Sequence, residues 1–284
     1  MKYLGIDIGG TSVKLAAVDQ GRVLWSGQSA PYGRPDTQQL IQAIRYAAAG
    51  RTASADGVGL CAPGLLDETK RSVALSVNVP GLNGINLDAL IFAALGTGLG
   101  QVTVVLDSIA TAYDIWSQRH LAGRMLSLAI GTGIGAAVLD DGKPLHVDGE
   151  SPGHFGQLDV SIAGHDVVGP DGGAGSLEGY FGAPALIKRF GGNLDSVLPT
   201  LRGDEAPFHA LARAIRIAHA IYRPHHVVLA GGIGIRLAHA LPRLRERIET
   251  NLSSIARPGW TLSTGDSDFH AAVGAAKLAA AGAA

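Results

Sequence analysis

The chain has 284 residues, 46% hydrophobic and 17% charged, enough for one large α/β domain or two modest ones with buried cores. Its formal net charge is -1, from 23 basic and 24 acidic residues, and no basic stripe is present to neutralise a nucleic-acid backbone, which argues against nucleic acid as a partner. The single cysteine, Cys61, excludes an intramolecular disulfide framework and any multi-cysteine metal site.

The N-terminus reads directly as a strand, Tyr3 to Ile8, with Asp7 inside it. It has neither a signal-peptide core nor a cleavage site, and no apolar run reaches membrane-spanning length. The expectation is a soluble, cytoplasmic protein with no membrane partner. Gly9-Gly10-Thr11 turns the chain, Val13–Val18 continues as a second strand, and Asp19-Gln20-Gly21 leads by a hairpin to a third at Val23-Leu24-Trp25. A helix follows, capped by Asp36 or Thr37, with Leu40, Ile41, Ile44 and Ala48 at helical spacing before Gly50. Val58–Cys61 is a short buried strand, and Val102–Leu106 is another that ends at Asp107. A helix from Ile109 to about Arg119 comes next, with Ala110, Tyr113 and Trp116 along one face.

The opening pattern then recurs. Leu126–Ile130, the turn Gly131-Thr132-Gly133-Ile134-Gly135, Ala136–Leu139 and the hairpin Asp141-Gly142 repeat the first unit. Two copies predict two similar lobes facing each other across a cleft, residues 1–114 and residues 115–284, with the boundary near 114–123. Pro207–Tyr222 is read as helical, Val227–Ala230 as a strand running into Gly231-Gly232-Ile233-Gly234, and Ala271–Ala283 as a final helix that packs on the first lobe.

Paired glycines let backbone N–H groups approach phosphate oxygens, Thr11 adds a hydroxyl, and the Asp7 carboxylate can hold magnesium through water. Either turn alone is more often a plain hairpin; two, each between apolar strands, favour a nucleotide gripped from both sides. Neither matches a P-loop or a dinucleotide fingerprint. Asp107 stands at the carboxyl end of an apolar strand, where α/β sheets present ligand-contacting groups, although an aspartate there also suits a helix cap.

These motifs, with Ala62-Pro63-Gly64 and Asp67, Asn78-Val79-Pro80-Gly81, Gly153-His154, Gly175-Ser176-Leu177-Glu178 and Gly231-Gly232, fall in the order seen in the ROK family, which the whole chain resembles. That family holds repressors, open reading frames and sugar kinases of the actin/hexokinase/heat-shock ATPase superfamily. The resemblance implies a two-lobed, ribonuclease H-like α/β fold with a duplicated β-β-β-α unit, and transfer of phosphate from ATP, with magnesium, to a hexose or amino-hexose. It places Gly9, Gly10, Thr11, Gly131, Thr132 and Gly133 on the phosphates and Gly231, Gly232 and Gly234 against the adenosine. Asp107 is the implied base, and Asn78, Glu150, His154 and Glu178 the implied sugar partners. A homodimer is left open.

The chain departs from the family at several positions. Leu106 and Ile109 stand where the family commonly has asparagines, and Ser151 where it tends to have a glutamate, Glu150 being one residue off. Gly169, Asp171 and Ser176 replace the three cysteines of its zinc loop, so no structural zinc is expected. The rivals are a non-catalytic sugar-binding relative and a sugar-responsive regulator. The regulators carry a helix-turn-helix ahead of the first phosphate motif, which here begins within ten residues.

Overall fold

The computed structural model describes every residue except Thr52, Ala53, Thr97, Glu150, Ala283 and Ala284. It forms two compact units, Met1–Asp114 with Phe269–Ala284, and Ile115–Asp268. The first contains β1 (Lys2–Ile8), β2 (Val13–Asp19), β3 (Arg22–Gln28), α1 (Thr37–Ala48) and β4 (Ala55–Cys61). A small hairpin, β5 (Leu65–Leu66) and β6 (Val73–Leu75), leads to α2 (Leu87–Leu95), β7 (Leu99–Val105) and α3 (Asp107–Gln118), inside which the division between the units falls.

The second unit opens with β8 (Arg124–Ile130), β9 (Ile134–Asp140) and the short β10 (Lys143–Pro144). Four helices follow, α4 (Leu177–Phe181), α5 (Ala183–Phe190), α6 (Leu194–Val197) and α7 (Ala206–Tyr222). Then come β11 (His226–Ala230), the single turn α8 (Gly231–Gly234), α9 (Leu241–Glu249) and β12 (Thr261–Thr264); α10 (His270–Ala280) belongs to the first unit.

Each unit is built on a five-stranded sheet, ordered β3-β2-β1-β4-β7 in one and β10-β9-β8-β11-β12 in the other. In both, the first strand pairs antiparallel with the second and parallel with the fourth in sheet order. This is the repeat visible in the sequence: a glycine turn reverses the chain between two apolar strands, and helical crossovers deliver the parallel ones.

Local chemistry explains the elements. Asp36 closes a capping box on α1, its Oδ1 accepting from Gln39 N at 2.8 Å while Gln39 Oε1 accepts from Asp36 N at 2.9 Å. Leu40, Ala43, Ile44, Ala47 and Ala48 put one face of that helix into the core beneath β1 and β2. The apolar α2, with Leu87, Leu90 and Ile91 buried, has no polar stripe and so left no helical period to read. The final helix lies so close to the sheet that a Cβ on Gly5 would stand 1.7 Å from Ala272 O, and one on Gly59 2.0 Å from Ala275 O. It runs from His270 to Ala280 rather than from Ala271 to Ala283, and Ala283 is outside the described residues. Among those, no helix is long and apolar enough to cross a membrane.

Candidate active site

The candidates gather in two clusters, one per unit. In the first, the sheet aligns Lys14, Asp7, Cys61 and Val105 side by side on neighbouring strands, and Asp107 follows two residues beyond Val105, in the first turn of α3. The first turn closes with Gly9 N donating to Ser12 O at 3.0 Å, while the N–H groups of Gly10 and Thr11 have no acceptor among the described residues. Exposed Asn78 lies beside this turn: a Cβ on Gly10 would be 3.7 Å from its Cβ.

Asp107 Oδ1 accepts from Ser108 N at 2.7 Å. Leu106 O accepts the helical bond from Ala110 N at 2.9 Å, so Leu106 is the cap residue and Asp107 the first helical one. The Asp107 side chain is exposed, yet enough protein surrounds it that desolvation raises its pKa, opposed by its backbone hydrogen bonds. Because water still reaches it, that rise is weaker than for a sealed carboxylate. Asp7, only partly exposed, is pushed up from 3.8 to about 7, chiefly by desolvation and then by repulsion from Asp107, with Lys14 pulling the other way. The charge of Asp107 therefore opposes the ionisation of Asp7. Burial also raises the Cys61 thiol well above its usual range, so it is inert.

In the second cluster, Gly131 N donates to Gly133 O at 2.9 Å, and the N–H groups of Thr132 and Gly133 have no acceptor among the described residues. Glu178, in the first turn of α4, brings Oε2 to Ile134 N at 2.9 Å. A Cβ on Gly133 would meet that oxygen at 2.8 Å, so the glycine admits the carboxylate. Gly156, two residues after His154, also borders Glu178 Oε2, at 3.2 Å from its would-be Cβ. Burial raises the Glu178 pKa, its bond to Ile134 N lowers it, and Asp171 raises it further. Glu178 Oε1 and the exposed His154 ring have no partner among the described residues, which leaves both open to a ligand. Gly231 packs on the end of β8, where a Cβ would lie 2.5 Å from Ile130 O, and the Gly231-to-Gly234 segment is a helical turn rather than a loop.

Glu150 lies outside the described residues. Asp67 is spent on the loop joining β5 to β6, its Oδ1 accepting from Thr69 Oγ1 at 2.8 Å. Ile109 is buried, and Ser151 Oγ accepts from Gly153 N at 3.1 Å within its own loop. At the positions of the missing cysteines, Gly169 N donates to Gly173 O at 2.8 Å, Asp171 accepts from Gln157 Nε2 at 3.0 Å, and Ser176 caps α4 through Gly179 N at 3.1 Å.

Free backbone donors on both turns suit phosphate oxygens. A pair of carboxylates, one with its pKa raised to about 7 by desolvation and by the other's charge, suits a divalent cation. Among the described residues no three His, Cys, Asp or Glu side chains converge to hold a metal alone, and magnesium characteristically completes its shell with water and substrate phosphate.

Tyr32 was not legible in the sequence. Its hydroxyl donates to Gly9 O at 2.7 Å and its N–H to Thr11 O at 2.8 Å, bracing the first turn. Burial and the nearby Asp7 raise its pKa. It stands in a loop with no periodicity, and only contact distances reveal it.

The chain is 27% identical to an N-acetyl-D-glucosamine kinase of Erwinia tasmaniensis, over 90% of this chain and 92% of that one. Its fold matches a ROK family glucokinase from Streptomyces griseus in complex with glucose and AMPPNP, with a TM-score of 0.75 at 21% identity over 98% of this chain and 99% of that one. It also matches an inorganic polyphosphate/ATP-glucomannokinase from Arthrobacter sp. strain KM, with a TM-score of 0.67 at 26% identity over 99% of each. The ROK family model matches residues 3–281, and the chain belongs to that family.

Proposed function

We propose that this protein transfers the γ-phosphoryl group of ATP to a hydroxyl of a hexose or amino-hexose, with Asp107 as the general base. The observation that carries this reading is the Asp107 carboxylate, open to water at the carboxyl end of the central sheet and next to Asp7 and a turn with free N–H donors. As a sugar kinase of the ROK family, the protein must activate a weak nucleophile and hold a highly charged donor. Asp107 orients the sugar hydroxyl and accepts its proton. The new O–P bond then forms as the bond to the β-phosphate oxygen breaks, releasing ADP.

The N–H groups of Gly10, Thr11, Thr132 and Gly133 hold phosphate oxygens, and the turn carrying Gly231, Gly232 and Gly234 lies against the adenosine. Asp7 would hold magnesium through water, and the ion would neutralise phosphate charge. Glu178 Oε1, His154 and Asn78 supply the donors and acceptors that fix sugar hydroxyls. A second reading, a sugar-binding relative without turnover, is favoured by Leu106 and buried Ile109, which present no amide beside Asp107.

The test is ADP release over a panel of hexoses and amino-hexoses, with ATP and polyphosphate compared as donors. With the sugar identified, Asp107→Asn should lower kcat by about 10²–10⁴-fold and leave sugar binding nearly unchanged. Near-normal turnover by that variant refutes the base. Sugar binding without ADP release from any donor favours the second reading.

A further inference from the structure

The second unit contains a half-open cavity of about 250 Å³, distant in sequence from the phosphate turns, with three arginines in its wall. On α7, His209, Arg213 and Arg216 recur at helical spacing and share one face, which lines the cavity. From α9 comes Arg247, and Asn251 just beyond that helix completes the polar wall. Ile162 and Ala163 close the other side.

The groups are held in place. The Arg247 side chain is only 18% exposed; its Nε donates to Gly203 O at 3.1 Å and one terminal nitrogen to Asp204 Oδ1 at 2.9 Å. Its other terminal nitrogen faces His209 Nδ1 at 3.0 Å, and His209 Nε2 meets Asp204 O at 3.1 Å. That pattern makes His209 a neutral buttress, accepting at one nitrogen and donating at the other, consistent with burial and Arg247 lowering its pKa. Arg213 donates to Ser161 O, and Arg216 makes a long contact, 3.5 Å, with Arg247 O.

The charge is not cancelled. Asp204 is shared between Arg243 and Arg247. Neither Arg213 nor Arg216 is in an ion pair among the described residues; Asp159, which accepts from Ser161 Oγ at 2.6 Å, lies near enough to Arg213 to offset that charge in part. Desolvation and the charges of Arg213 and Arg247 together depress the Arg216 pKa, so Arg216 is repelled by both neighbours, although Arg213 is exposed to solvent. An anion would relieve that repulsion, and planar guanidinium forks match a tetrahedral oxyanion bidentately.

We propose that this cavity is a binding site for a phosphate dianion, either inorganic phosphate or the phosphoryl group of a small phosphate ester, held by Arg213, Arg216 and Arg247. The site does not depend on the catalytic reading given above.

Arginine Nε–Hε signals of the full chain, followed by NMR at constant ionic strength, test it with two probes, inorganic phosphate and glucose 6-phosphate. The expected result is saturable movement of the Arg213, Arg216 and Arg247 signals at millimolar probe. It should be lost in Arg213→Gln/Arg216→Gln and weakened about tenfold in Arg216→Lys, which keeps the charge but not the fork. Saturation by both probes identifies free phosphate as sufficient, and saturation by the ester alone identifies the ester as the occupant. Signals that stay still up to about 20 mM of either probe, some twentyfold above a millimolar Kd, overturn the proposal. So does equal movement with chloride, which would mark a general ionic response. The wild-type titration decides the matter even where the double variant fails to fold.

Discussion

Asp7→Asn separates what the candidate site costs the fold from what it contributes to activity. In the unfolded chain the Asp7 carboxyl ionises at 3.8, whereas in the fold desolvation and Asp107 hold it at about 7. The folded state therefore binds the extra proton between these values, and the resulting stability is fully present below pH 3.8 and lost as pH rises through about 7. Each pH unit in that window is worth about 1.4 kcal/mol, so raising the pH from 5 to 8 removes up to about 2.7 kcal/mol through Asp7, less what its partial exposure screens. Asparagine has nearly the same shape and no charge. Urea denaturation of ligand-free, divalent-free protein at pH 5 and pH 8 should show the variant gaining on the wild type by about 2 kcal/mol between the two. Titration of Asp107 occurs in both proteins and largely cancels. The same variant should be nearly inactive, because it cannot hold magnesium through a charged group. Parallel pH dependence of the two proteins, within about 0.5 kcal/mol, would refute the assignment of the raised pKa to Asp7.

Asp114, 6% exposed, pairs with His270 Nδ1 and Lys277 Nζ, each at 2.6 Å. Asp114→Ala should lower stability by about 3–5 kcal/mol in urea, with Asp114→Asn losing less, and an unchanged midpoint would contradict the pairing. Gly59→Ala places a methyl 2.0 Å from Ala275 O, backbone against backbone. A loss of about 3 kcal/mol, or roughly 6–12 °C in Tm, is expected by calorimetry, and an unaltered Tm would mean that the helix does not lie so close. Glu178→Gln keeps an acceptor for Ile134 N, so the melting point should stay within about 2 °C of the wild type. The sugar KM should rise about tenfold or more, because a charged acceptor has been replaced by a neutral one; an unchanged KM would remove Glu178 from the sugar site.

The duplicated strand-turn-strand unit was legible because both causes are local. Glycine pairs permit tight turns, and the apolar runs Leu4–Ile8 and Leu126–Ile130 demand burial whatever surrounds them. The position of Asp107 was legible for a related reason, since a strand that runs into a helix through a carboxylate fixes where that group emerges, whereas its role came from the family resemblance and not from the spacing. Tyr32 and the basic cavity were not, because they join residues through space without any spacing rule along the chain. Helix α2 was missed since a segment apolar all round carries no period, and β12 since four half-exposed residues carry too little pattern. The residue types, the turns and the order of the motifs belong to the sequence alone. Only the tertiary structure decided that Asp7 is desolvated, with Asp107 near it, so that its proton is held to about 7, and that Glu178 leans on the second glycine turn with one oxygen left over. Hydrogen bonding falls off within a few ångströms and charge repulsion weakens with separation, and distances between remote residues are set by packing rather than by position in the chain.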